Sequence, residues 1–83
     1  MDEFRYSRII REWHSEHVDV VARQYWCNDV DGKRFDYKYE VSGYVNGKMV
    51  FQDLVVPTST RCLRLGGRAF SYLKSERRRG NIV

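Results

Sequence analysis

From residue 3 to residue 17 the apolar positions are Phe4, Tyr6, Ile9, Ile10, Trp13 and His17, and their steps of three and four are those of one helix face. Asp2 stands where a cap would, and Arg5, Arg8, Glu12 and Ser15 fall on the outer face. This spacing predicts a first helix. Residues 18–27 change character: Val18, Val20, Val21, Tyr25 and Trp26 are β-branched or aromatic and follow no helical period, which predicts a strand. The polar, glycine-ended run Asn28-Asp29-Val30-Asp31-Gly32 predicts a turn. Beyond it, Phe35, Tyr37, Tyr39 and Val41 alternate with Asp36, Lys38, Glu40 and Ser42, one face apolar and the other charged.

Asn46-Gly47-Lys48 signals a hairpin in either of two registers. A two-residue turn pairs Val45 with Lys48 and sets Val41 opposite Gln52. A three-residue loop with Gly47 left-handed pairs Tyr44 with Lys48, and sets Val41 opposite Phe51, Tyr37 opposite Val55 and Glu40 against Gln52. The second keeps apolar against apolar and is the favoured reading. Residues 48–56 form the third predicted strand, stopped by Pro57, the only proline. Thr58-Ser59-Thr60 supplies hydroxyls for a helix cap. Cys62, Leu65, Gly66, Ala69, Phe70 and Leu73 then form a core stripe, with Arg61, Arg64 and Arg68 within about 60° of one another on the far side. Each glycine of Gly66-Gly67 costs a helix interior about 1 kcal/mol. Either the pair lets the helix press close to the sheet, or residues 61–65 are a short strand and the helix starts near Arg68. Residues 75–80 are expected to fray.

The expected fold is therefore α+β: a three-stranded antiparallel sheet flanked by an N-terminal and a C-terminal helix, α-β-β-β-α. A single domain spans 1–76, and 77–83 are a basic C-terminal tail. Eighty-three residues suit one core, and hydrophobic residues at 42% are enough to fill it. The acidic start is unlike a secretory leader, and no apolar run approaches the roughly 20 residues that span a bilayer. Two cysteines, Cys27 and Cys62, are too few for a disulfide-built scaffold; reduced thiols are the favoured state, with a single bridge left open. The expectation is a cytoplasmic protein with no membrane contact.

Charge sharpens the picture. Residues 57–83 carry seven Lys/Arg and one acid, a charge near +6, while residues 1–56 carry eight and ten, near −2, for a total of +4. Segregated positive charge points to an anionic partner, most often nucleic acid.

Gly32-Lys33-Arg34-Phe35-Asp36-Tyr37-Lys38-Tyr39-Glu40-Val41 resembles the basic loop and alternating second strand of the double-stranded-RNA-binding domain. Val45-Asn46-Gly47-Lys48 resembles its glycine hairpin, and Thr58 through Leu73 its second helix. The resemblance implies the α-β-β-β-α order over residues 4–73 and duplex binding through the second helix. The first turn of that helix lacks the family's two or three lysines, with only Arg61 and Arg64 in their place. The loop before the second strand reads Asp31-Gly32-Lys33-Arg34 where the family has a proline-histidine pair.

Arg61, Arg64 and Arg68, continued by Arg77, Arg78 and Arg79, are the candidate phosphate contacts, because guanidinium groups release condensed counterions and bond phosphate oxygens in pairs. Lys33 and Arg34 offer a second contact. Tyr37 and Tyr39 fall on the core face; Tyr25 and Tyr44 are the tyrosines expected to be partly exposed. Asp36 and Glu40, with Asp53 nearby, make the opposite strand face acidic, which argues against a sheet that binds single strands. His14 and His17 have a chelating spacing but no third ligand, so no metal is expected. No nucleophile elbow, phosphate loop or carboxylate pair is present, so no catalytic residue, enzyme activity or cofactor is expected.

The reading is a non-catalytic module binding duplex RNA or DNA. The alternative is a small standalone protein-interaction factor or inhibitor, viral or regulatory, docking on an acidic protein surface. The hairpin edge would then add a strand to the partner's sheet or form a homodimer.

Overall fold

The computed structural model describes residues 6–28 and 30–81, and their side chains except at 34–36 and 54–56. Asp2, Phe4, Arg5 and Asp29, and the side chains of Arg34, Phe35, Asp36 and Val55, lie outside the described residues. The elements are β1 (Tyr6–His14), β2 (Val18–Asn28), β3 (Arg34–Val45), β4 (Lys48–Val56) and α1 (Ser59–Arg78). The strands form an antiparallel meander in the order β1-β2-β3-β4. The fold is α+β as expected, but the sheet has four strands and the described residues hold one helix.

Residues 6–14, expected to be helical, form β1. The reason is a β-bulge. Ile9 pairs with Arg23 but Arg11 pairs with Ala22, so Ile10 is an extra residue. Tyr6 and Arg8 precede the bulge on the helix-side face, and Trp13, opposite Val20, follows it on that same face. Ile10 at the bulge packs on the core. A strand with one bulge thus spaces Tyr6, Ile10 and Trp13 by four and three, a helix-like pattern that a strict period of two would have excluded.

In β2 the alternation is clean: Val18, Val20, Ala22, Gln24 and Trp26 are buried, and the residues between them are half-exposed. Val45, Gly43, Val41 and Tyr39 of β3 lie opposite Val18, Val20, Ala22 and Gln24, so these two strands carry the floor of the core. α1 crosses this face and closes it with Cys62 and Leu73, both buried, and with Leu65, Ala69 and Phe70 packed alongside. The stripe expected from the sequence is the buried stripe.

Gly66-Gly67 lies inside α1, and the two glycines differ. A Cβ on Gly66 would collide with Trp13 Cη2 and stand 2.5 Å from Cζ3, whereas one on Gly67 would meet nothing within 4 Å. Gly43 does the same service from the sheet, where a Cβ would reach 2.7 Å from Leu73 Cδ1. Helix and sheet approach closely because the contact points carry no side chain.

The β3–β4 hairpin has the two-residue turn rather than the favoured three-residue loop. Asn46 and Gly47 both have positive φ, 52° and 82°, and Val45 pairs with Lys48. That turn matches strand twist, and the Asn46 amide donates to the carbonyl of His17 at 2.8 Å. Register is corrected later, by extra residues in β4. Tyr44 faces Met49 while Gly43 faces Phe51, which makes Val50 a bulge, and a second shift separates Val41–Asp53 from Tyr39–Val56. Phe51 thereby reaches the core.

Thr58 caps α1, accepting from the Arg61 amide at 3.2 Å. The helix does not fray at Ser75 but runs to Arg78, because Gly80 takes φ 81° and the Asn81 amide closes on the Glu76 carbonyl at 2.9 Å. No disulfide bridges Cys27 and Cys62. No described helix is long and apolar enough to cross a membrane.

Candidate nucleic-acid interface

Because Cys62 and Leu73 turn α1 onto the sheet, helical geometry puts Arg61, Arg64 and Arg68 on the opposite side, and all three are exposed. Among the described residues no acid forms an ion pair with any of them. Over seven residues they span about 10 Å of helix axis. No acid occupies the first turn of α1.

The other candidates do not join this group. Arg77 rotates toward the β1–β2 connection. It is half-buried, its Nε is enclosed without a hydrogen-bond partner, and with Lys74 and Arg78 it lines a small hollow against Ser15, His17 and Val18. Arg78 and Arg79 are exposed at the helix end, where Arg79 lies 3.6 Å from Glu76. Lys33 is exposed in the β2–β3 connection, and Arg34 starts β3; both belong to the far end of the sheet from the C-terminus of α1. The basic residues therefore form three groups.

Of the acids expected on one face of β3, Asp36 has its side chain outside the described residues and Glu40 is enclosed by donors. Glu40 is only 5% exposed, accepting from Gln52 Nε2 at 2.8 Å and Tyr25 Oη at 3.2 Å, with Arg23 Nε 3.8 Å away. Burial first, and then the charge of Glu40, push the Tyr25 phenol above its usual range, so it stays a donor. Asp53, opposite Val41, lies on the helix side and not beside Glu40. Burial, then Glu40 and Asp53, likewise push the Cys62 thiol up, which makes it a packing group and a poor nucleophile.

The two histidines do not converge. His14 sits between Asp19 (2.6 Å) and Glu12 (2.8 Å), while His17 reaches Asn46 at 3.0 Å and Glu16 at 3.0 Å. Hydrogen bonds to Asp19 and then Glu12 raise the pKa of His14 above 6.5. Among the described residues no group of three or more His, Cys, Asp or Glu is arranged to hold a metal.

Two surfaces escaped the sequence reading. One is a groove of about 690 Å³ beside the β4 edge, lined by Val50, Phe51, Leu65, Ala69, Tyr72 and Arg68 at its rim. The other is the half of the helix-side face that α1 leaves open. There Tyr6 stacks on Trp26, ring centres 6.0 Å apart and planes 16° from parallel. Arg8 Nε donates to Gln24 Oε1 (2.9 Å), and Gln24 Nε2 donates to Tyr39 Oη (3.2 Å). Tyr37, expected to be core, is 44% exposed, as is Tyr6. The shift from Tyr25–Lys38 to Cys27–Phe35 places it at a bulge opposite Trp26. Tyr25 and Tyr44 are half-exposed, as expected. A signal for this surface existed in the aromatic density of residues 25–39, but only the position of the helix shows which rings are covered.

No protein-family model matches the chain, and comparison with curated proteins and with solved structures finds no match to it either.

Proposed function

We propose that this chain is a non-catalytic nucleic-acid-binding module that grips the phosphate backbone of RNA or DNA through Arg61, Arg64 and Arg68. The observation that carries the reading is the exposure of three guanidinium groups on one helix side, with no described acid paired to them. Arginines so placed bond phosphate oxygens in pairs and release counterions; they position the strand without reading its sequence. Arg78 and Arg79, at the far end of the helix, offer a second contact apart from these three, and Lys33 a third at the other end of the sheet. Arg77, turned toward Val18, is a packing group.

A labelled oligonucleotide titrated at two salt concentrations tests this. Affinity falls steeply with salt in the wild type. The Arg61→Glu/Arg64→Glu/Arg68→Glu variant loses binding, and single alanine variants each lower the log–log salt slope by about 0.7–0.9. Binding that ignores both salt and the triple reversal refutes the proposal.

The groove beside β4 favours one second reading, a protein-docking role. Val50 and Tyr72 there are 46% and 62% exposed, and β4 is a sheet edge able to accept another strand. A pull-down that captures one defined protein, and loses it on Tyr72→Glu while no nucleic acid binds, would select that reading.

A further inference from the structure

The open half of the helix-side face is unusual for a domain this small. The chain has a radius of gyration of 14.5 Å and extents of 51 × 22 × 18 Å. A compact chain of this length has a radius of about 12 Å. The excess comes from the β2–β3 hairpin, which continues past the start of α1: Tyr39 lies opposite Val56, where β4 ends and the chain turns back into the helix. Among the described residues, no helix covers that face beyond Tyr39, and Tyr6 and Tyr37 there are exposed.

The composition of this shelf says what it suits. A surface waiting for another hydrophobic core would show Leu, Ile and Val. The shelf instead exposes Tyr6 and Tyr37, with half-buried Tyr39 beside them, buried Trp26 and Gln24 as their support, and Arg8 at its edge. Its rings are flat and its edges polar, and the hydrogen-bonded chain Arg8–Gln24–Tyr39 fixes side chains that would otherwise be mobile. Charge on the same side is complementary to an anion. Arg8 and Arg11 of β1 lie there, and Arg61 stands at the helix start, just after the Thr58 cap. Of the described strand acids, Glu12, Asp19 and Glu40 point to the opposite face, which leaves Asp53, half-buried near Cys62.

We infer that this shelf binds unpaired nucleobases, so that the ligand is single-stranded RNA or DNA, with bases stacked on Tyr6 and Tyr37 and the backbone running up to Arg61 and Arg64. The inference rests on the nucleic-acid reading above and specifies its ligand. Flat faces without base-edge donors stack any base, so binding is tolerant of sequence. A paired duplex hides its base faces and cannot use the shelf.

Fluorescence anisotropy with three probes of about 12 nucleotides tests it: oligo-dT, an abasic strand of equal length, and a duplex. The wild type prefers oligo-dT to both others. Tyr37→Ala and Tyr6→Ala each weaken oligo-dT binding roughly 5- to 150-fold, leave the abasic strand unchanged, and are rescued by Phe at the same position. Arg61→Glu/Arg64→Glu weakens both single strands. Equal affinity for abasic and base-bearing strands, or preference for the duplex, overturns the shelf while leaving the phosphate reading standing. No binding of any probe at low salt removes that reading itself. Sedimentation in parallel covers a protein occupant: a dimer that Tyr37→Ala dissociates, with base preference unchanged, assigns the shelf to a second copy and overturns the inference.

Discussion

Replacing Gly66 by alanine puts the helix–sheet contact to a quantitative test. Helix propensity alone favours alanine by about 1 kcal/mol, and at Gly67, where a Cβ meets open space, Gly67→Ala should deliver most of that gain. At Gly66 the added carbon falls 2.5 Å from Trp13 Cζ3 and 3.2 Å from Cζ2. Ordinary contact requires about 1 Å more, so either α1 lifts from the sheet or the indole swings off Val20. The first option loosens contacts of Cys62 and Leu73, and the second exposes a half-buried tryptophan already covered on another side by the Arg11 guanidinium at 5.4 Å. Overpacking of this kind costs about 1–3 kcal/mol, enough to cancel or outweigh the propensity gain. Thermal melts followed by circular dichroism should therefore place Gly67→Ala above the wild type and Gly66→Ala below it. The gap should be roughly 5–20 °C, at about 4–8 °C per kcal/mol for a domain this size. In the Trp13→Ala background the collision is gone, so Gly66→Ala should turn neutral or stabilising, a coupling of about 2 kcal/mol. A Gly66→Ala melting temperature equal to that of Gly67→Ala would refute the close-approach explanation.

Two further outcomes follow from the polar clusters. His14, with its folded pKa raised above 6.5 by Asp19 and Glu12, contributes stability that is fully present below pH 6.5 and is lost as pH rises through the raised value. Urea midpoints of wild type and His14→Gln should differ at pH 5.5 and converge at alkaline pH; a difference constant across that range would count against the carboxylate pairing. Glu40→Ala strands the Arg23 guanidinium and the Tyr25 and Gln52 donors on the sheet face, costing about 1–3 kcal/mol in urea unfolding, with Glu40→Gln retaining part of it. A Glu40→Ala variant as stable as the wild type would mean that water replaces the carboxylate without loss.

Much of the fold was legible because its signals are local. The β-branched and aromatic content of β2, the alternation in β3, the stop at Pro57, the Thr58 cap and the core stripe Cys62 to Leu73 each need only a few neighbouring residues to specify them. β1 was not legible, since one bulge at Ile10 turned its period of two into helix-like steps. Hairpin register failed for a related reason. Asn46-Gly47 chose the turn that its own φ angles favour, and a bulge in β4 then turned Phe51 to the core side, opposite Gly43, while Val41 faces Asp53 and not Phe51.

The sequence by itself determined that one helix face would carry Arg61, Arg64 and Arg68 while its opposite face went into the core, because a period of 3.6 residues fixes both at once. Only the tertiary structure decided how much of the sheet that helix covers. Its 20 residues reach from Cys62 over Glu40 to the β1–β2 connection, and leave Tyr6 and Tyr37 in the open. Which aromatic is core and which is surface depends on where a separate element lands, and no pattern within the strands records that.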